Sequence, residues 1–122
     1  MVDTAIKDEE EKKEYFDSEE ELELKIDQLV EWIKEANHFI AFTGAGISTA
    51  AGVADFRSGV NTVLETGPGI WEKGAQKIKN FKPKLKTEMS RAFPTKCHMS
   101  LLKLMQDGYL KFLISQVYLT YY

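Results

Sequence analysis

The sequence predicts an α/β protein with parallel strands and a turn suited to phosphate at the end of its first strand. Three observations carry this. After the break at Asn37 and His38, Phe39 to Thr43 is a short apolar run, the pattern of a strand buried in a parallel sheet. It stops at Gly44, Ala45 and Gly46, with small and hydroxyl residues following through Thr49. A second apolar run, Leu110 to Gln116, comes after a helical pattern. Helix, strand, glycine turn and helix in succession are the grammar of an α/β domain.

The elements follow in chain order. Residues 1–17 are expected to be an acidic, disordered or extended segment, with Asp8, Glu9, Glu10 and Glu11 as a solvated tail. Ser18 and Glu21 have the spacing of a capping box. Leu22, Ile26, Leu29, Val30 and Ile33 then recur at helical spacing and predict one apolar face through about Ala36. The strand Phe39 to Thr43 runs into the glycine turn, and a helix is expected to begin there. Glycines let a backbone approach an anion, and free N–H groups at a helix start favour negative charge.

Gly59, Gly67, Pro68 and Gly69 mark turns, and Ile70 with Trp71 forms an apolar anchor. The lysine-rich stretch to Lys86 reads either as a surface helix ending near Pro83 or as a loop. Thr95 caps a further helix whose Met99, Leu102 and Met105 share a face, and Gly108 sits where a helix-terminating residue belongs. Leu110 to Gln116 is the second strand. Two strands are too few for a stable parallel sheet, so the chain reads as the front portion of a larger α/β domain.

Composition narrows the function. The chain has 122 residues, a single-domain length, and a net charge of −3. Charge is unevenly placed: residues 1–36 carry 14 acidic and 5 basic side chains, net −9, and the remainder is net +6. Lys73, Lys77, Lys79, Lys82, Lys84 and Lys86 would attract phosphate or nucleic acid, but a solvated lysine-rich loop accounts for them equally. No interleaving of aromatic and basic residues of the nucleic-acid-binding kind is present. No apolar run approaches the roughly 20 residues of a membrane span, and the acidic N-terminus has no apolar signal region. A nuclear or cytoplasmic protein is expected. The single cysteine, Cys97, excludes an internal disulfide and a Cys-rich zinc site, and is read as a small buried hydrophobe.

The glycine turn departs from the dehydrogenase fingerprint G-x-G-x-x-G, because Thr49 stands at the third glycine. Glu65 lies near the spacing of that fingerprint's ribose-binding acid but among turn residues. Glycines serving packing alone are the alternative. Asp55, Phe56 and Arg57 argue for a ligand: an acid to bond a ribose or amide, an aromatic to cover a ring, a guanidinium to pair a phosphate. The alternative for these three is a surface salt bridge beside a packed Phe.

Gly44, Ala45, Gly46, Ile47, Ser48 followed by Gly52, Val53, Ala54, Asp55, Phe56, Arg57 resembles the two leading motifs of the sirtuins, G-A-G-x-S and G-I-P-D-F-R. The segment from Lys13 to Asp17 and the helix after it resemble the lead-in of the nuclear branch called class IV. Gly69 to Trp71 is similar to that branch's G-V-W. Pro94 to Met99 is similar to P-T-x-x-H-M, and Phe112 to Gln116 to F-L-V-S-Q. The resemblance covers about residues 13 to 116.

The resemblance implies an NAD-dependent protein lysine deacetylase or deacylase on a Rossmann-like domain carrying a small zinc module. In that family the acyl oxygen attacks the nicotinamide ribose, nicotinamide leaves, and a histidine acts as general base. It implies that Gly44, Ala45, Gly46, Ser48 and Thr49 line the pyrophosphate turn, that Asp55, Phe56 and Arg57 form the loop over the nicotinamide end, that Trp71 flanks the NAD pocket, and that Gln116 reaches the nicotinamide ribose. An acylated protein such as a histone would be the substrate. Residues 18–122 would be a partial NAD-binding domain, an incomplete Rossmann-like parallel sheet without the zinc module.

The departures are Ala54 where the family has proline, extra residues between Arg57 and Trp71, and Val117 to Tyr122 where the family continues N-x-D-G-L-H. The catalytic histidine and the four zinc cysteines have no counterpart in these 122 residues. His98 is expected to be a partly buried helix-terminal residue and His38 a surface one. The expectation is an NAD-binding portion that is inactive as it stands, truncated after its second strand. The alternative is a non-catalytic NAD-binding or protein-interaction fragment.

Overall fold

The computed structural model describes residues 8, 10, 11, 13–75, 78, 81–88 and 91–116. The expectations for residues 1–7, for Lys77 and Lys79, and for Val117 to Tyr122 lie outside the described residues.

The first helix, α1, spans Glu19–Glu35 and begins with the capping box read from the sequence. The Ser18 N–H donates to the Glu21 carboxylate at 3.1 Å, and the Glu21 N–H donates to Ser18 Oγ at 3.3 Å. The Ser18 backbone bond, with its hydroxyl bond second, holds the Glu21 carboxyl below its ordinary value of 4.5. A carboxylate with a lowered folded value adds helix stability above its unfolded value, and loses it as pH falls through the folded one. Circular dichroism is therefore expected to show α1 fraying as pH drops below about 4.5. Glu21→Gln, which keeps an acceptor for the Ser18 N–H but does not titrate, should remove the Glu21 share of that pH dependence.

Helix α1 has the predicted apolar stripe but buries none of it. Leu22, Ile26 and Leu29 are each about half exposed, and no residue of the helix is buried. The 3.6-residue period dictates which side chains share a face, not whether another element covers that face.

Strands β1 (Phe39–Thr43) and β2 (Leu110–Ser115) pair in parallel as the only sheet among the described residues. Ile40 pairs with Phe112, Phe42 with Ile114, and Thr43 with Ser115, after an irregularity between Phe39 and Ile40. The Gln116 N–H then donates to the Thr43 carbonyl at 2.9 Å, extending the ladder to the edge of the glycine turn. The strands are not buried on both faces, as had been expected from their apolar runs. Ile40, Phe42, Phe112 and Ile114 share a face and are all exposed. Leu110 is the one buried hydrophobic among the described residues. Period-two geometry sends alternate side chains to opposite faces, and with two strands one of those faces stays open.

Helix α2 is short, Ile70–Ala75, and α3 spans Lys96–Gln106, with α3 lying against β2. Residues 81–88 form no helix, so the loop reading of the lysine-rich stretch holds there. They instead tie back to earlier segments: the Leu85 N–H donates to the Glu65 carbonyl and the Thr87 N–H to the Gly52 carbonyl, each at 3.0 Å. Helix α3 ends as predicted at Gly108, whose φ is +78°. The Gly108 N–H reaches the Met105 carbonyl and the Tyr109 N–H the Leu104 carbonyl, the paired bonds of a Schellman ending. No helix among the described residues is long and apolar enough to cross a membrane.

Candidate functional site

The glycine turn opens into a 3₁₀ helix, Ala45–Ala51, where an α-helix start was expected. Gly52 ends it in the left-handed region at φ +84°. A Cβ there would lie 2.5 Å from Thr87 Oγ1 and 2.9 Å from the Thr87 nitrogen. Seven residues closed by a left-handed glycine build no long helix axis, so backbone approach matters more here than a helix dipole. Gly52→Ala is expected to destabilise the chain by about 1–3 kcal/mol, measured as a lower midpoint in thermal unfolding.

Two groups of site residues form. The first surrounds the turn. A Cβ on Gly44 would be 3.9 Å from Gln116 Oε1, so the residue that follows β2 lies beside the turn. Gly46 has open space where a side chain would be, with nothing within 4 Å. Thr43 and Ser48 are buried, and their hydroxyl oxygens have no hydrogen-bond partner among the described residues. Buried hydroxyls without partners are costly and call for an explanation. Thr49 is placed on the turn, but its hydroxyl donates to the Gly46 carbonyl at 2.9 Å.

The second group is the Asp55 to Arg57 loop. The Asp55 carboxylate accepts from the Ser58 N–H and hydroxyl, folding the loop onto itself. The Phe56 and Trp71 ring centroids are 5.0 Å apart, and the Arg57 guanidinium lies 5.4 Å from the Trp71 ring. Aromatic contact and cation–π attraction at these distances hold the three together. The surface salt bridge considered for Asp55 and Arg57 is not among the ion pairs of the described residues.

The backbone sets this arrangement. The N–H groups of Gly69, Ile70 and Trp71 donate to the carbonyls of Ser58, Asp55 and Phe56 at 2.8, 2.9 and 3.0 Å. The extra residues between Arg57 and Trp71 thus return the chain to the loop, and Trp71 arrives beside Phe56 despite them. In the sequence Gly69 reads as a turn residue and as the start of the G-V-W resemblance. Its close approach to Phe56 had no local signal.

The Glu14 carboxylate accepts from the Thr62 hydroxyl at 2.6 Å and the Val63 N–H at 3.1 Å, tying the N-terminal segment to the added residues. An open groove of about 740 Å³ runs along the turn, lined by Gly46, Ile47, Phe93, Pro94 and Lys96 among others. It includes Gly46 but not Asp55, Phe56, Arg57, Trp71 or Gln116. Cys97 lines it and is exposed, against the expectation of a buried hydrophobe: its place near the start of α3 faces the groove instead of a core. His98 is half-buried at the start of α3 and His38 is exposed, both as expected.

The fold and site thus define an α/β chain with a glycine-rich loop at the end of a parallel strand and polar and aromatic groups held nearby. No family model matches the chain. Individual proteins do. NAD-dependent protein deacetylase SRT1 of Oryza sativa subsp. indica is 42% identical over 105 residues, 84% of this chain and 19% of that protein. NAD-dependent protein deacetylase Sirt6 of Drosophila melanogaster is 41% identical over 107 residues, 84% of this chain and 29% of its own length. An NAD-dependent protein deacetylase of Thermodesulfovibrio yellowstonii is 33% identical over 106 residues, 75% of this chain and 38% of its own. The chain belongs to the sirtuin family and corresponds to an N-terminal part of its members. It spans about a fifth to two fifths of the length of these relatives.

Proposed function

We propose that this chain is the NAD-binding portion of an NAD-dependent protein deacylase. Residues 18–122 would be a partial Rossmann-like domain and residues 1–17 an acidic segment outside it. The observation that carries the proposal is the glycine turn itself, with open space at Gly46 and unpartnered buried hydroxyls at Thr43 and Ser48 on either side of it in the chain. A diphosphate accepts hydrogen bonds and needs close backbone approach, so it fits this donor set. Ala45 and Gly46 would supply backbone contact and Ser48 a hydroxyl. Asp55, Phe56 and Arg57, steadied by Trp71, would hold the nicotinamide end, and Gln116 the adjoining ribose. When bound, NAD supplies an electrophilic ribose carbon to which an acyl oxygen can add as nicotinamide leaves.

This chain's own residues bind and orient, but they do not supply the family's base. Val117 to Tyr122 occupies the place of the motif carrying that histidine. His98 does not substitute, because its Nδ1 accepts from the Thr95 N–H at 3.1 Å and serves the cap of α3. A missing general base costs typically about 10²–10⁴-fold in rate. The zinc of the family does not fit: the sequence has one cysteine, and no group of three or more His, Cys, Asp or Glu among the described residues could hold a metal.

The expected outcome is NAD binding by equilibrium dialysis without release of nicotinamide when an acetyl-lysine peptide is added. Nicotinamide release at a sirtuin-like rate would refute the inactivity. A protein substrate such as a histone and a nuclear or cytoplasmic location are extensions of the same reading. A second reading, a protein-interaction fragment, is favoured by the exposed apolar side chains of α1 and of the Ile40 and Phe112 face.

A further inference from the structure

The start of α3 and the glycine turn share one hydroxyl. Thr95 is the N-cap of α3 and is 9% exposed. Its Oγ1 accepts from the His98 N–H at 3.4 Å, closing the first turn of the helix. The same oxygen lies 2.8 Å from the Ile47 carbonyl, 48 residues earlier, in the middle of the 3₁₀ helix. A carbonyl only accepts, so the hydroxyl proton must point at Ile47. His98 takes the capping-box position usually held by Glu or Gln. Its Nδ1 is 2.7 Å from Thr95 Oγ1 and 3.1 Å from the Thr95 nitrogen.

The ring thus crowds the hydroxyl from one side. Nδ1 accepts from the Thr95 N–H, which puts the ring proton on Nε2, and the single in-plane lone pair of Nδ1 leaves the hydroxyl proton to Ile47. Nε2 is buried with no partner among the described residues, so the ring's hydrogen bonding is concentrated on the Thr95 side.

We infer that Thr95 and His98 are positioning residues for the glycine turn, acting through the Thr95 hydroxyl on the Ile47 carbonyl. Ile47 lies between Gly46 and Ser48, so fixing its carbonyl fixes the plane of the peptide joining it to Ser48. It also fixes the direction of the Ser48 N–H. The inference rests on the reading of this turn as the NAD site only for its consequence in binding; the strut itself is tested without ligand.

The test separates the two jobs of one oxygen. Thr95→Ser keeps both. Thr95→Asp keeps an acceptor for the His98 N–H, because Asp is a good N-cap, but an ionised carboxylate has no proton for Ile47. Amide hydrogen exchange by NMR reads the two ends separately. Gly52 and Val53, whose N–H groups donate to Thr49 and Ser48 carbonyls, report the 3₁₀ helix, and Met99, whose N–H donates to the Thr95 carbonyl, reports α3. In Thr95→Asp, Gly52 and Val53 are expected to exchange about tenfold faster while Met99 keeps its wild-type rate, the loss of one net hydrogen bond. Thr95→Ser should restore both.

Equal acceleration at Met99 and at Gly52 would overturn the inference, since Thr95 would then be only a helix cap. Unchanged rates at Gly52 and Val53 in Thr95→Asp would overturn it too. NAD affinity is measured on the same proteins. If wild type does not bind NAD, the cofactor reading fails, while the exchange rates still decide the strut.

Discussion

Gly69→Ala is expected to have the largest structural effect of any single methyl added to this chain. A Cβ at Gly69 would stand 2.3 Å from the Phe56 carbonyl carbon, 2.4 Å from its oxygen and 2.5 Å from the Arg57 nitrogen. All three are backbone atoms, so no side-chain rotation relieves the overlap. The Gly69 N–H bond to Ser58 and the neighbouring bonds to Asp55 and Phe56 would have to lengthen together. The cost is expected at or above the upper end of the usual 1–3 kcal/mol for overpacking. Trp71 should separate from Phe56. In a Trp32→Phe background, Trp71 is the single tryptophan, so its fluorescence reads this directly: Gly69→Ala should shift the emission to the red. Gly67→Ala is the control. There the overlap is with the Phe81 side chain, which is exposed and can turn away. The left-handed φ of +68° remains as the cost, about 1 kcal/mol. An unchanged Trp71 spectrum in Gly69→Ala would mean that the loop is not held in this way.

Gly46→Ala is expected to act in the opposite sense on folding and strongly on binding. Gly46 is not among the glycines with positive φ, and no atom lies within 4 Å of a Cβ built there. Alanine fits without strain and should raise stability by about 0.4–1 kcal/mol, because it restricts the unfolded chain. The space it fills is the space that the proposed diphosphate site needs. In glycine turns of this kind the second glycine admits the backbone to the pyrophosphate. NAD affinity should therefore fall at least about tenfold, a loss of about 1.4 kcal/mol, while the unfolding midpoint rises. Equilibrium dialysis and thermal unfolding on the same protein check both halves. A variant that binds NAD as wild type does would remove Gly46 from the site.

The sequence made the local features legible. The Ser18 box, the Thr95 cap and the Gly108 ending each depend on residues within a few positions of one another, and each is present. The two strands are where the apolar runs placed them, and their parallel pairing follows from a crossover too long for a hairpin. What was not legible depends on chain segments far apart. Nothing near Thr95 indicates the bond to Ile47, and nothing near Gly69 indicates Phe56. Burial was misjudged for the same reason. The outer face of the sheet and Cys97 are read as buried from local pattern, whereas exposure depends on which element lies opposite. Among the residues expected at a cofactor, Gln116 lies near Gly44 and Trp71 beside Phe56 and Arg57, and Thr49 turns its hydroxyl to the Gly46 carbonyl.

The central claim is that NAD binds at the glycine turn and its neighbouring loop. The most direct test is a proton–nitrogen correlation spectrum of the labelled chain titrated with NAD. The account predicts saturable shifts at Ala45, Gly46, Ile47, Ser48, Phe56, Arg57, the Trp71 indole and the Gln116 side chain, with Leu22 to Ile33 of α1 unmoved. No shifts, or shifts confined to α1 and the exposed sheet face, would contradict it.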